Sequence, residues 1–465
     1  DKANKIYSSN SIGLLQLLGI NNSDTASVFK GKLLQLSNSN IVFNHEPVVA
    51  KESTQQKDSV ASSGNIGFVL NEIDLSNNRV TYNNTAAPVK INGLDYAHIA
   101  IKELQLNATD NLYNNGVIQS NINRFSFKDT SGFAIDSLRG FVKIDSGNIH
   151  IKNLYVKTPN SSINADAMIY PLSLTNTNSN GTGFPQNNLV ITNTIISQKD
   201  LDLLADGLTA KYKKQMAALG DLLISTNISG NAKQLIIKDL SVRSANSQAL
   251  ILNVSGTAAN VTDAKNISYN LHIKNLTASK TLIDPFLAES KQTVQLPPSI
   301  SISGLLAGNM SRLQTNLQMA SAYGKVNAKG KLVNFTDPIK MQYDMVITAA
   351  NLETGKWMYK DSLMGKLTGT ITAKGFNGFD IKKSTIKTTA NISSFRLQQH
   401  DYRNIKLNLL LVKGLADFIA SVNDELLKVN INGKANMQTE YPSVDAFVNL
   451  QKADLFALGF AKDSM

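Results

Sequence analysis

Apolar and polar residues alternate with a period of two along most of this chain, the pattern of strands with one buried and one wet face. The clearest phrase is 341–358, where Met341, Tyr343, Met345 and Ile347 take one phase. Gln342, Asp344 and Thr348 take the other, with Val346 the exception. The phrase closes on Asn351-Leu352 and a short segment in which Leu352 and Trp357 share an apolar edge. It stands earlier at 267–282, where Ile267, Tyr269, Leu271 and Ile273 alternate before Asn275-Leu276. It returns near the end, with Val444, Ala446, Val448 and Leu450 before Ala453-Asp454-Leu455. A weaker copy runs from Leu189 and closes on Leu201 and Leu204. The repeated unit reads as half-buried strand, turn and brief helical plug, which predicts a repeat architecture.

Strands are expected in quick succession from 65 to 169, separated by Asn-Asn, Asn-Gly and Ser-Gly turns, and again from 235 to 450. Alternation with no βαβ pattern predicts an all-β, mainly antiparallel, long bent sheet with one or two short covering helices. The candidate inward residues are Leu250, Leu252, Val254, Tyr269, Leu271, Ile273, Leu317, Met319, Met341, Tyr343, Met345, Ile347, Leu367, Ile371, Leu407, Leu409 and Leu411. Nearer the start, 12–18 suggests a short helix, and 32–36 with 40–43 a strand pair. Segments 47–64 and 176–183 read as loops. A helix is expected over 198–223, because Leu201, Leu204, Leu208, Tyr212, Met216 and Leu219 fall at helical spacing. It would cover or gate a sheet face. A helical turn is expected at 286–289. The division is 1–64, 65–197, 198–224 as a helical insertion, and 225–465.

Composition narrows the chemistry. Only 17% of residues are charged, so the polar faces are built from Asn, Ser, Thr and Gln. The net charge of +11 is spread without a run of lysines, too thin for a nucleic-acid track. Isolated lysines fit solvated faces and guarded sheet edges. No cysteine is present, which removes disulfides and thiolate chemistry. The five histidines (His45, His98, His150, His272 and His400) have no metal-ligand spacing, and phosphate-loop, nucleophile-elbow and zinc-protease motifs are missing. No catalytic constellation, metal or cofactor is expected. No apolar run is long enough to span a bilayer as a helix. The chain opens on Asp1 rather than Met, so it is expected to be a piece of a longer protein, with any anchor before Asp1.

What remains is the apolar face itself. Each side chain on it is worth about 1.5–3 kcal/mol when buried, so such a face cannot stay in water along its length. Either the sheet folds over to share a core, or apolar ligands line it. Met, Ile, Leu, Val and Phe with interspersed Ala and Gly favour a conduit for acyl chains. The rival is a scaffold whose edges template strands of a partner.

The phrases SISGLLAGNMSRLQTNLQMASAYGKVNAKGKL, NLETGKWMYKDSLMGKLTGTITAKG, VNDELLKVNINGKA and KADLFALGF carry a family resemblance, strongest between Ser299 and Phe460. The chain resembles the middle region of the TamB branch of the AsmA superfamily of Gram-negative envelope proteins. The resemblance implies a repeating β-groove, or β-taco, with an apolar interior in the periplasm. It also implies an N-terminal inner-membrane anchor and an outer-membrane barrel partner of the TamA/BamA kind. The implied role is moving phospholipid between membranes, or assisting outer-membrane protein assembly. The 198–223 helix has no place on the family pattern.

Overall fold

The computed structural model describes residues 4–19, 21–22, 28–47, 67–145, 148–169, 187–205, 212–289 and 294–458. It is all-β, with 68% strand and 6% helix. The chain divides into two units, residues 1–232 with 240–247, and 233–239 with 248–465. Of the expected loop 47–64 only Pro47 is described, as the end of a strand, and the rest of it, with the expected loop 176–183, lies outside the described residues.

The first unit is an open, mainly antiparallel sheet. Its strands are β1 (Asn4–Ser11), β2 (Leu14–Leu18), β3 (Asn21–Asn22), β4 (Val28–Ser37), β5 (Asn40–Pro47), β6 (Gly67–Asn84), β7 (His98–Asn114), β8 (Val117–Asp129), β9 (Ala134–Asp145), β10 (Asn148–Lys157), β11 (Ser162–Ile169) and β12 (Asn187–Ile196). Helices α1 (Gln198–Leu204) and α2 (Lys213–Leu219) follow, then β13 (Leu222–Gly230). From β6 onward each strand pairs antiparallel with the next.

Three expectations fail in this unit. Residues 14–18 form β2, paired antiparallel with β4, and not a helix. A short apolar run such as LLQLL satisfies either period, and a partner strand decides it. The expected strand pair 32–36 and 40–43 does not pair. Its two members lie end to end in β4 and β5, both parallel to β6. Asn38 and Asn77 each adopt φ 51°, forming a facing kink instead of a reversing turn. The kink is held by Asn78, fully buried, whose Oδ1 accepts from Ser39 N and whose Nδ2 donates to Leu36 O, both at 2.9 Å. The expected 198–223 helix is two short helices, and residues 206–211 between them lie outside the description. Gly220 at φ 63° ends α2, and Leu222 and Leu223 pair with Ile196 and Ile195. The sheet claims those leucines over the helical pattern.

Strand β14 (Leu235–Ser244) is divided between the units. The second unit holds β15 (Leu250–Ala259), β16 (Ser268–Ser279), α3 (Lys280–Glu289), β17 (Ser299–Asn309), β18 (Arg312–Ser321), β19 (Gly324–Val333), β20 (Gln342–Glu353), α4 (Thr354–Trp357), β21 (Met364–Phe376), β22 (Thr385–Leu397), β23 (His400–Val412), β24 (Leu415–Asn423), β25 (Leu427–Asn436) and β26 (Ser443–Ala453). From β15 to β26 every strand pairs antiparallel with the next, as an open sheet.

The repeated phrase acquires a physical meaning here. Helices α1, α3 and α4 follow β12, β16 and β20, the strands in which three of its copies lie. The expected turn before each plug is instead a register shift inside the strand: after Ile191 in β12, Ile273 in β16 and Ala349 in β20. Asn193 and Asn351 take φ 44° and 51°, a conformation asparagine tolerates better than most residues. Side chains on the next strand capture the displaced amides: Asn193 N–H donates to Ser225 Oγ and Asn351 N–H to Thr368 Oγ1, each at 3.0 Å. Asn153 in β10 repeats the device, donating to Asp166 Oδ1 at 2.6 Å.

Candidate functional site

In the second unit the register carries one apolar face across every strand. Val254 lies opposite Ile273, which faces Gly304, and Gly304 faces Leu317. The same row continues through Ala328, Ile347, Ile371, Ala390, Leu407, Ala420, Ile431 and Val448. A second row aligns Leu252, Leu276, Ile302, Met319, Val326 and Ala349. Leu271, Met345 and Leu409 share a third row, and Tyr269, Tyr343 and Leu411 a fourth. Leu250 pairs with Ala278 and Leu367 with Leu352 at one rim, while Met341 precedes β20 in phase with Tyr343. All the candidate inward residues therefore lie on one face.

Further members of the same face are Ile302, Ile392 and Ile405, which keep the period-two phase of their strands, and Leu276, which falls out of it. The register shift at 274–275 returns an even-numbered residue, Leu276, to the face that Ile273 occupies. A shift of one residue otherwise sends a side chain to the opposite face. The readable signal was the Asn-Leu pair.

This face is the shielded one, yet it is not closed. Along β23 and β25 its residues are buried or half-buried, while the alternate residues are exposed. Among the described residues only the short helices α3 and α4 contact the strands of this sheet, at β16 and β21. Leu411, Ala416 and Ala435 form a small buried cluster, with Ile386, Leu409, Phe418 and Met437 packed against it. Ile347, in the middle of the longest row, remains 37% exposed. The four rows contain no ionisable side chain except Tyr269 and Tyr343. Burial pushes the Tyr343 phenol above its usual range. Thr315 is a buried polar exception, with no partner for its Oγ1.

Large side chains lie over glycines on this face. The ring of Tyr343 occupies the space a Cβ on Gly375 would need, and Met345 Sδ does the same at Gly330. Gly375→Val is expected to eject Tyr343 and lower stability by about 1–3 kcal/mol, the usual effect of overpacking, read by urea unfolding.

In the first unit an apolar cavity of about 310 Å³ is lined by Phe68, Leu70, Ile73, Leu106 and Ile118, among others. A larger cavity in the second unit, about 420 Å³, lies mainly on the opposite, polar face, lined by Ser301, Ser303, Gln318, Asn327 and Thr348.

Two buried carboxylates lock the strand ends. Asp200 of α1 accepts from Thr158 Oγ1, Ser161 Oγ and Asn160 Nδ2, fixing the helix to the β10–β11 turn. Asp424 accepts from Leu426 N and Arg403 N and meets His400 Nε2 at 2.7 Å. Burial raises both carboxyl groups, but these hydrogen bonds outweigh it and hold them below the usual carboxylate range. Their stabilisation is therefore complete above about pH 4 and is lost as pH falls through the lower folded values. Protection of the amides around Ser161 and Leu426, relative to their intrinsic exchange rate at each pH, is expected to hold down to about pH 4 and to fall below it.

Comparison with protein-family models, with curated proteins and with solved structures finds no match for this chain.

Proposed function

We propose that the apolar face of the second unit holds phospholipid acyl chains, with head groups left in water, as a non-enzymatic segment of a lipid path. The observation that carries this reading is the set of rows from β15 to β26, almost wholly apolar and partly exposed among the described residues. The interior strands make ladder bonds on both sides, so the face offers no backbone donors or acceptors. An extended peptide laid across it would leave its own amides unpaired, whereas hydrocarbon needs no partners. Movement would be passive sliding along Met, Ile and Leu. The family resemblance adds a periplasmic location, an inner-membrane anchor on the full-length protein and an outer-membrane barrel partner of the TamA/BamA kind.

The test is native mass spectrometry with lipid extraction on chain purified from membranes. Several phospholipids per chain support the reading, and a stable lipid-free chain counts against it.

A scaffold reading has one observation of its own. Val444, Phe447, Val448 and Leu450 of β26 are strongly exposed apolar side chains that a protein partner would cover. Photocrosslinkers at 347 and 448 separate the two readings, since lipid adducts at 347 favour the conduit and protein adducts at 448 the scaffold.

A further inference from the structure

A loop recurs in the second unit that the alternation does not reveal. It joins β15 to β16 as Asn260-Val-Thr-Asp263-Ala-Lys-Asn266, and β19 to β20 as Asn334-Phe-Thr-Asp337-Pro-Ile-Lys340. It joins β21 to β22 as Asn377-Gly-Phe-Asp380-Ile-Lys-Lys383. The leading asparagines take φ 54°, 53° and 64°. In each loop the aspartate Oδ1 accepts the amide two residues on, from Lys265, Ile339 and Lys382, at 3.0 Å. The aspartate carbonyl accepts the amide three residues on. One turn is thus built three times with the same polar parts.

The tips differ. Where the first loop has Thr262, Ala264 and Lys265, the second places Ile339 at the last of these positions and the third places Phe379 and Ile381 at the first two. These three are 70%, 66% and 46% exposed. The turn does not require them, since the first copy folds without them. The second and third loops touch: Gly378 N–H donates to Met341 O at 2.9 Å, and Gly378 has no room for a Cβ against Pro338 O. Phe379 stacks on Tyr343, with ring centres 5.0 Å apart. The apolar tips therefore form one patch on this pair of loops.

Lysines surround it. Asp337 is paired with Lys340 at 3.8 Å and Asp380 with Lys383 at 3.5 Å. Lys382 has no carboxylate within ion-pair distance among the described residues. The patch is positive on balance, in a chain of net charge +11.

We infer that the paired loops 334–341 and 377–384 dock on an anionic lipid surface, with Ile339, Phe379 and Ile381 entering the head-group boundary and the lysines meeting lipid phosphates. Two short loops supply far fewer than the roughly 20–30 residues a side of a stable protein interface. A bilayer asks only for a few apolar tips and nearby cations. The inference is independent of what the apolar face carries.

The experiment is co-sedimentation of the whole chain with vesicles of equimolar phosphatidylglycerol and phosphatidylcholine, against phosphatidylcholine alone, across a salt series. The expected result is binding to the anionic vesicles that weakens with salt. In the variant Ile339→Ser/Ile381→Ser, which leaves the Phe379–Tyr343 stack in place, binding is expected to fall at least about tenfold with an unchanged unfolding midpoint. Lys382→Glu is expected to reduce binding to the anionic vesicles alone. The inference is overturned if the parent chain stays in solution with anionic vesicles, or if the serine variant sediments as the parent does. Salt-insensitive self-association abolished by the same variant overturns it in favour of a protein partner.

Discussion

Ile347→Asp is expected to co-purify with at least about tenfold less phospholipid than the parent chain, while its unfolding midpoint falls only slightly, because a carboxylate beside hydrocarbon loses its hydration. Ile347 sits between Ala328 and Ile371 in the central row, so an acyl chain running along that row must cross it. Its side chain is partly exposed, so the aspartate keeps its water and costs the fold little. Met345 is a poorer probe because its thioether covers Gly330, and its loss would disturb packing as well as occupancy. Lipid counts per chain by mass spectrometry, with a melting curve on the same sample, separate the two effects. An aspartate variant carrying the parental lipid load would remove the central row from the path.

Asn78→Ala carries the largest expected effect on stability, about 2–4 kcal/mol in the first unit. The side chain is fully enclosed, so no water can replace its two hydrogen bonds to Ser39 N and Leu36 O. Its removal leaves an amide and a carbonyl unpaired and opens a void at the kink. Asn78→Asp keeps the acceptor for Ser39 but cannot donate to Leu36 in its charged form, and is expected to be no better. Urea unfolding gives the magnitude. Hydrogen exchange at Ser39 shows whether the loss is local to the kink, since fast exchange there with slow exchange in β8 and β9 is expected. A parental exchange rate at Ser39 would mean that Asn78 does not hold the kink.

Much of this architecture was readable in the alternation of residues such as Tyr343, Met345 and Ile347, because a single-layer sheet leaves one face wet along its length. The register was less readable. Counting by twos fails at Asn275 and Asn351, where the bulge shifts the phase and Leu276 and Leu352 rejoin the apolar face out of step. Two helical expectations failed for different reasons. The run 14–18 is too short to declare a period without its partner β4. The leucines at 222 and 223 continue a helical spacing but are needed opposite Ile196 and Ile195. The kink at Asn38-Ser39 could not be foreseen at all, since the group that satisfies it stands 39 residues away. The recurring Asn-x-x-Asp loops were present in the sequence, yet their contact, and hence the patch, needed the fold.

Since each strand of the second unit is bonded in order to the one before and the one after, tension applied through β26 would load a single ladder at a time. Strands would then peel away in sequence, like a zipper, at a low and nearly constant force, instead of rupturing together as a sheared sandwich does. The sheet would re-close when slack returned, with the rows nearest β15 still intact. Optical-trap traces of the chain held at its termini would show this as a plateau of small steps.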